Sequence, residues 1–181
     1  MKVLITAASR HGSTLEIAEA IEAVLISAGH QTAIVTPERV ADLTGYDAVI
    51  LGSAVYAGHW LGPAKEFVAR NLSGLLARPV WLFSSGPVGT DGKPIEEPSD
   101  VARVREATSA REHRVFAGRL DRRDLGWAER LVAAVVRAPN GDFRSWTEIE
   151  GWATAIARSL NAEQAINHPL VPAGRGISGS G

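Results

Sequence analysis

The stretch "ITAASRHGSTLEIAEAIEAVL", Ile5 to Leu25, decides how the rest of the chain is interpreted. An apolar run of strand length ends in small polar residues, and apolar residues then return at a spacing of three and four. That change of period predicts a strand, a short polar loop and an amphipathic helix. The helix is expected over residues 14–28, because Gly29 follows where a helix C-terminus favours glycine.

Composition limits the class of protein and its partners. The 181 residues, 45% of them hydrophobic, suffice for one compact domain. A net charge of -1 gives no field that would gather nucleic acid, so no nucleic-acid partner is expected. Cysteine is absent, and no His/Asp/Glu cluster recurs at ligand spacing, so no metal site is expected. Neither a bilayer-length apolar stretch nor a signal-peptide pattern is present, so we expect a cytoplasmic location.

Strand-length apolar runs alternate with runs of helical period along the rest of the chain. This is the pattern of an α/β fold with a parallel sheet covered by helices on both faces. Strands are predicted over residues 2–7, 31–36, 47–53, 79–85 and 113–117. We therefore expect a five-stranded, doubly wound domain over residues 1–166 and a flexible tail over residues 167–181.

Two further helices have recognisable starts. Pro63 is suited to open a helix, because its fixed φ matches the first helical position. Thr147 and Glu150 are predicted to form the capping box of the last helix. The apolar spacing predicts the buried faces of these two helices to be Ala64, Phe67, Val68, Leu72 and Leu75 for the first, and Ile149, Trp152, Ala153, Ile156 and Leu160 for the second.

The loop from Ser9 to Thr14 lies between a strand end and a helix N-terminus. Unpaired amide hydrogens and the positive end of the helix dipole favour an anion there, so a phosphate group fits. Gly12 lets the backbone approach closely, and the loop offers donors from Ser9, Arg10, Ser13 and Thr14. A plain helix start with a hydroxyl cap explains the same residues. The motif is neither a P-loop nor the G-x-G-x-x-G dinucleotide fingerprint.

Two later loops fall at the carboxyl ends of strands, where doubly wound sheets bind ligands. They are "GSAVYAGHWLGPAKEFV", Gly52 to Val68, and "SSGPVGTDG", Ser84 to Gly92. With the first loop they are expected to form one cleft, in which small residues let backbone amides reach the edge of a tricyclic ring between apolar walls. Alternatively, Tyr56 packs under its own loop and His59 is a surface side chain.

These motifs resemble the flavodoxin-like family, and within it the bacterial menaquinone-dependent protoporphyrinogen dehydrogenases, over about residues 1–160. "SRHGSTLEIA" is similar to the family's FMN phosphate loop, with Arg10, Gly12 and Thr14 at matching positions. "GSAVYAGHW" followed by "EFV" resembles the second flavin loop, with Gly58 and His59 at the matching glycine and histidine. "AGRLDRRDLGWAERLV" and "GDFRSWTEIEGWA" resemble the family's final portion. The resemblance implies strand order 2-1-3-4-5, noncovalent FMN, and one- or two-electron flavin chemistry.

The loops and the resemblance together predict which residues bind FMN. Backbone amides around Ala57 and Gly58 are expected to face the reactive edge of the ring. The flavin carries the chemistry, so no side chain is assigned as a general base. The predicted FMN-binding residues are Ser9, Arg10, His11, Gly12, Ser13 and Thr14 in the first loop, Ser53, Ala54, Val55, Tyr56, Ala57, Gly58 and His59 in the second, and Ser85, Gly86, Pro87, Val88 and Gly89 in the third.

The segment from Arg119 to Arg144 is rich in arginine and contains the apolar helical run "WAERLVAAVVRA". Trp127, Leu131, Ala134 and Val135 share one face of that run. Such a helix is suited to peripheral contact with the inner face of the cell membrane near a quinone, or to gripping tetrapyrrole propionates. Packing on the sheet, with the arginines in water, explains the same pattern.

Three functions follow from these observations. The first is an FMN-dependent oxidoreductase, a protoporphyrinogen IX dehydrogenase that passes electrons to a quinone in heme biosynthesis. The second is a soluble flavodoxin-type electron carrier or quinone reductase, although carriers use an acidic face and this chain is nearly neutral. The third is a non-redox binding module on the same sheet. The first strand ends without the acidic cluster of a phospho-receiver, and residues 90–113 vary within the family, which leaves substrate specificity open.

Overall fold

The computed structural model describes residues 1–86, 97–120 and 141–167. None of the helices in these ranges is both long enough and apolar enough to cross a membrane. In chain order the elements are β1 Lys2–Ala8, α1 Ser13–Ser27, β2 Gln31–Ile34, a 3₁₀ turn Pro37–Arg39, β3 Ala48–Tyr56, β4 His59–Trp60, α2 Gly62–Leu76, β5 Val80–Ser85, α3 Val101–Thr108, β6 Glu112–Phe116, β7 Arg119–Leu120, β8 Gly141–Asp142 and α4 Trp146–Asn167.

Five parallel strands form the centre of the main sheet in the order β2-β1-β3-β5-β6. Counted as the five predicted strands, this order is 2-1-3-4-5, so the predicted fold class is confirmed. The short strand β4 is an addition that pairs antiparallel with the end of β3. It extends β3 three residues past the predicted end at Ser53, because Val55 and Tyr56 gain ladder partners in Trp60 and His59. A separate two-stranded ribbon joins β7 and β8.

Each face of the sheet carries its own apolar core. Helices α1 and α4 cover one face, where Ile17, Ile21, Ile149 and Trp152 are buried. Helices α2 and α3 cover the other, where Phe67 is among the residues buried against β1, β3 and β5. The alternation of side chains along β1 and β3 serves both cores at once, which explains why these strands read as continuous apolar runs. Helix α1 ends as predicted: Gly29 has φ 89°, and its N–H donates to the Ile26 carbonyl at 2.9 Å.

Two details of the predicted helices are wrong. Leu72 was expected on the buried face of α2, but it is 37% exposed and Asn71 is buried instead. Asn71 has non-helical angles, φ -113° and ψ 16°, and its side-chain amide donates to the Phe67 carbonyl at 3.0 Å. The helix is therefore kinked at this residue, and Asn71 takes the inward position that was predicted for Leu72, while Leu75 in the last turn is buried as predicted.

The capping box of the last helix also lies two residues earlier than predicted. Helix α4 begins at Trp146, and the Ser145 hydroxyl accepts a hydrogen bond from the Glu148 N–H at 3.4 Å. Thr147 and Glu150 are inside the helix and do not cap it. The sequence holds two overlapping Ser/Thr-x-x-Glu patterns, and the earlier serine occupies the cap position.

Candidate functional site

The three predicted loops leave the sheet at one edge. In the parallel register, Ala8 pairs with Ser53, and Ser53 pairs with Ser84. The chain therefore leaves β1, β3 and β5 at the same level, beside the carboxyl ends of the strands. Residues separated by tens of positions in sequence are brought to one place by this register.

The first loop ends in a helix N-terminus that no side chain caps. Gly12 is the cap residue, with φ 82° and ψ -22° in the left-handed region, where glycine is favoured. The first ladder bond joins the Glu16 N–H to the Gly12 carbonyl at 3.0 Å, so the amides of residues 13–15 are not used by the helix ladder. The Ser13 hydroxyl lies at this end, and Thr14 is buried below it. This set of donors suits a phosphate group.

Arg10 and Tyr56 bring the first and second loops into contact. The Arg10 guanidinium lies 4.6 Å from the centre of the Tyr56 ring, within cation–π range. The His11 ring is tilted against the same ring, with 6.3 Å between centroids. The structure thus places Arg10, His11 and Tyr56 together, whereas the sequence predicted a contact between Arg10 and phosphate.

The second loop is a hairpin whose two-residue turn projects from the sheet edge. Ala57 and Gly58 form the turn, with φ 49° and 78°, and both residues are exposed. Two positive φ values at a two-residue turn match the twist of a hairpin, although alanine there is strained. The Gly58 carbonyl accepts a hydrogen bond from the Ser99 N–H at 3.1 Å and another from the Ser99 hydroxyl at 3.3 Å.

Asp100 holds the second arm of the same hairpin. Its carboxylate accepts the Trp60 N–H at 3.1 Å and lies 3.3 Å from both His59 Nδ1 and Lys65 Nζ. Partial burial alone raises the pKa of Asp100, but the hydrogen bonds from His59, Lys65 and Trp60 outweigh it, and the pKa is lowered. Ser99 and Asp100 were not predicted as site residues. Nothing in their local sequence marks them, because their role depends on contacts about 40 residues away along the chain.

A buried chain of hydrogen bonds runs beneath the hairpin. The Trp60 indole N–H donates to the Ser84 hydroxyl at 2.8 Å, and Ser84 Oγ lies 2.9 Å from His113 Nε2. His113 Nδ1 lies 2.9 Å from a carboxylate oxygen of Glu97. The His113 side chain is only 3% exposed; burial lowers its pKa, and Glu97 opposes this only in part. Trp60 and Ser84 belong to the predicted loops, but His113 and Glu97 were not predicted as site residues, since the pairing of β5 with β6 is what brings His113 to Ser84.

The third loop is described only at its start. Ser85 is buried, and Gly86 has φ 95°, with its N–H donating to the Phe116 carbonyl at 3.1 Å. A side chain at Gly118 would meet Gly86 Cα at 3.1 Å, so glycine there lets two segments of backbone approach closely. The predicted residues Pro87, Val88 and Gly89 lie outside the described residues.

An ionic cluster adjoins the phosphate loop. Glu16, in the first turn of α1, is 2.6 Å from the Arg144 guanidinium and 3.1 Å from that of Arg119. Arg144 also pairs with Asp142 at 2.6 Å, lies 4.4 Å from the Trp146 ring centre, and is only 3% exposed. The hydrogen bond from Arg144 lowers the pKa of Asp142, and the same bond raises the pKa of Arg144. The rest of the arginine-rich segment, residues 121–140, lies outside the described residues.

Comparison with known proteins agrees with this geometry. The model of the flavodoxin domain matches residues 4–145. The chain is 25% identical over 174 residues to protoporphyrinogen IX dehydrogenase (quinone) of Escherichia coli strain K12, which covers 87% of this chain and 95% of that protein. Among solved structures, an archaeal flavodoxin matches with TM-score 0.60 and 17% identity over 89% of this chain and 99% of its own. Rubredoxin oxygen:oxidoreductase of Desulfovibrio gigas matches with TM-score 0.63 and 16% identity over 91% of this chain and 37% of its own.

The residues described at the sheet edge fit the cofactor of this domain. FMN carries a phosphate and a tricyclic ring, which match the uncapped helix N-terminus and the hairpin beside it. Its identity as the cofactor, expected from the sequence, is supported by the family match. The chain belongs to the flavodoxin-domain family and is an FMN-binding redox protein.

Proposed function

We propose that this protein is an FMN-dependent oxidoreductase of the protoporphyrinogen IX dehydrogenase type, with a quinone as electron acceptor. The observation that carries the proposal is the sequence match to the Escherichia coli dehydrogenase, which is 25% identical and spans 87% of this chain and 95% of that protein. The archaeal flavodoxin covers similar shares of the two chains, 89% and 99%, but at 17% identity. Since the lengths covered are alike, the higher sequence identity to the dehydrogenase is what favours a shared activity.

The overall charge supports an enzyme over a simple carrier. An electron carrier finds basic partners through an acidic face, and a net charge of -1 provides no strong field for such steering. A small-molecule donor and a quinone need no such field, because they reach the cofactor by diffusion into a cleft. The structural similarity to flavodoxins favours the second function, a carrier or quinone reductase, and the experiment below separates the two.

In this mechanism the protein binds and orients the cofactor. The amides of residues 13–15 and the nearby hydroxyls would hold the phosphate, and the hairpin from Tyr56 to Trp60 and the start of the third loop would flank the ring. Ser99 fixes the direction of the Gly58 carbonyl, and Asp100 fixes the Trp60 amide, so the hairpin is pre-organised before the cofactor arrives. FMN, when bound, supplies the electron transfer between substrate and acceptor.

The test is an anaerobic assay of the FMN-loaded protein with protoporphyrinogen IX and a soluble menaquinone analogue. Each pair of electrons and protons that leaves the porphyrinogen reduces one quinone to a quinol, so porphyrin fluorescence and quinol absorbance should rise together. The apoprotein is the control for spontaneous oxidation. If the FMN-loaded protein reduces quinone from a chemical donor but leaves porphyrinogen unchanged, it is a quinone reductase or carrier. If the folded protein takes up no FMN, the non-redox module is the correct function.

A further inference from the structure

A carboxylate lies beside the loop that is proposed to hold the cofactor's phosphate. Glu16 follows the phosphate loop in the first turn of α1, and its Oε1 is 3.9 Å from the place where a Cβ on Gly12 would lie. An acidic residue in the first turn favours the helix itself, because it complements the dipole. The same charge opposes a phosphate dianion at this end of the helix. A phosphate can therefore bind here only if another group neutralises the Glu16 charge and leaves the backbone amides of residues 13–15 free to donate.

Two arginines supply that neutralisation from a distant part of the chain. Arg144 Nη1 is 2.6 Å from Glu16 Oε2, and Arg119 Nη1 is 3.1 Å from Glu16 Oε1. The Arg144 side chain is 3% exposed and is held by Asp142 and by the Trp146 ring, so its charge is fixed in place. The Glu16 side chain is 37% exposed, so the pair is partly buried, and salt screens it less than a fully exposed ion pair.

The backbone of the same segment orients a phosphate donor. The Arg119 N–H donates to Ser13 Oγ at 3.1 Å. Because that bond occupies a lone pair of the hydroxyl, the Ser13 proton remains available to a second acceptor such as a phosphate oxygen. Arg119 thus contacts the loop through its backbone and Glu16 through its side chain.

We propose that Arg144 and Arg119 are positioning residues for the FMN phosphate, which act by cancelling the charge of Glu16 and by fixing the first turn of α1. The proposal goes beyond the assigned FMN loops, because it makes both ends of the arginine-rich segment part of the cofactor's electrostatic environment. Glu16, Asp142, Arg119 and Arg144 together are neutral, so losing one arginine leaves an excess negative charge beside the phosphate. The inference rests on FMN as the cofactor and is independent of the electron donor.

The test compares FMN with riboflavin, which has the same ring and no phosphate. The dissociation constants of both are measured by flavin fluorescence quenching on the apoprotein of the wild type and of Arg144→Gln. Arg144→Gln should weaken FMN binding by about tenfold or more and riboflavin binding by less than about threefold, because one uncompensated charge acts on the phosphate alone.

Two further variants separate electrostatics from folding. Glu16→Gln removes the repelling charge and leaves one excess positive charge, so its FMN affinity relative to riboflavin should be equal to that of the wild type or higher. In Glu16→Gln/Arg144→Gln much of the tenfold loss should be recovered. Arg111→Gln is the matched control. It also removes an arginine paired with a glutamate, Glu163, but at the opposite edge of the sheet, and should leave both constants unchanged.

The proposal is overturned if Arg144→Gln weakens the binding of FMN and of riboflavin by the same factor. It is also overturned if Glu16→Gln weakens FMN binding as much as Arg144→Gln does. Should Arg144→Gln fail to fold, Arg144→Lys keeps the charge and should retain the preference of the wild type for FMN over riboflavin. Loss of that preference in Arg144→Lys, with normal urea unfolding, also contradicts it. If the wild-type protein binds neither flavin, FMN itself is the wrong cofactor.

Discussion

His113 Nε2 lies 2.9 Å from Ser84 Oγ, and this contact connects a buried imidazole to the hairpin of the proposed FMN site. The other nitrogen of the ring faces the Glu97 carboxylate at 2.9 Å, so it carries the proton. Nε2 is then the acceptor, the Ser84 hydroxyl donates to it, and the Ser84 oxygen accepts the Trp60 indole N–H. Each nitrogen of the His113 ring and the Ser84 hydroxyl therefore has a hydrogen-bond partner while His113 is neutral. A second proton on His113 forces the Ser84 hydroxyl to turn away.

The first prediction concerns stability and pH. Burial lowers the pKa values of His113 and His30 in the folded protein below the ordinary value of 6.5. For His30 a hydrogen bond to the Ala157 carbonyl opposes the shift without cancelling it. Between the lowered pKa and 6.5 the unfolded chain binds more protons than the folded one, so stability is full above pH 6.5 and is lost as the pH falls below it.

Urea unfolding at a series of pH values checks this prediction. The free energy of unfolding should decrease from pH 7.5 to pH 5.5, and the decrease should be smaller in His30→Gln and in His113→Gln. Carboxylates with lowered pKa values, such as Asp100 and Asp142, lose their contribution only at more acidic pH, near their own pKa values. A free energy that is flat or rises over this range would show that the two histidines are protonated in the folded state.

A second prediction concerns the residues that hold the hairpin. Asp100→Ala removes the acceptor of the Trp60 N–H and the partner of His59 and Lys65. The hairpin should then become mobile, and the dissociation constants of FMN and riboflavin should both rise by about five- to tenfold, because the hairpin serves the ring common to both. Asp42→Ala is the control, since Asp42 also accepts a backbone N–H, from Thr44, but lies on the opposite edge of the sheet. If both variants changed the flavin dissociation constants equally, Asp100 would have no specific role in holding the hairpin for the ring.

Local sequence was enough for the sheet and for the position of the loops. Periodicity predicted the three central strands because each is a buried parallel strand with a nearly continuous apolar run, as residues 48–51 show. The outer strands β2 and β6 are shorter and only partly buried, and they were predicted from their place between helices. Gly12 was recognisable because it stands among hydroxyl residues directly before a helix, which is the pattern of an anion-binding helix start and of a plain one. The prediction for Leu72 was wrong because helical spacing allows either residue 71 or residue 72 to face the sheet, and the apolar residue was chosen. Asn71 is buried instead, with its side-chain amide satisfied by the Phe67 carbonyl.

The residues that support the site were beyond the reach of local sequence. Asp100, His113 and Arg144 contact the cofactor loops across about 30 to 130 residues of chain, and each becomes relevant only when the sheet is assembled. Arg144 in particular belonged to a segment rich in arginine, where spacing does not distinguish a solvated charge from a buried one. Which residues of two neighbouring strands lie side by side depends on the register of the strands. Periodicity shows which face a residue occupies, and a shift of two residues leaves that face unchanged.

A third prediction separates backbone strain from cofactor binding. Gly12→Ala places a Cβ on a residue with φ 82°, and Gly45→Ala does the same at φ 78° in a loop away from the FMN site. Both substitutions should destabilise the protein by a similar amount, about 1–2 kcal/mol, because alanine is strained in this region. FMN binding should weaken several-fold in Gly12→Ala and remain unchanged in Gly45→Ala. Urea unfolding measures the stability of the two variants, and fluorescence titration measures their FMN affinity. An equal loss of affinity in Gly45→Ala would show that Gly12 has no specific role in FMN binding.

The last prediction concerns the centre of the sheet. Gly52 in β3 faces Phe83 in β5, and a Cβ on Gly52 would lie 2.1 Å from the end of the Phe83 ring. Phe83 has no free direction to move, because the rings of Phe116 and Trp152 pack against it with centroids 6.2 Å away. Gly52→Ala should therefore lower the free energy of unfolding by about 3 kcal/mol or prevent folding.

The matched control is Gly151→Ala on the exposed side of α4, where a Cβ meets nothing within 4 Å. Alanine is the better helix former, so this variant should be unchanged or more stable by up to about 1 kcal/mol. Phe83→Leu in the Gly52→Ala background should recover part of the lost stability, because the smaller side chain vacates the space that the new methyl group needs. If Gly52→Ala unfolds at the urea concentration of the wild type, β3 and β5 are not packed at this position as the register requires.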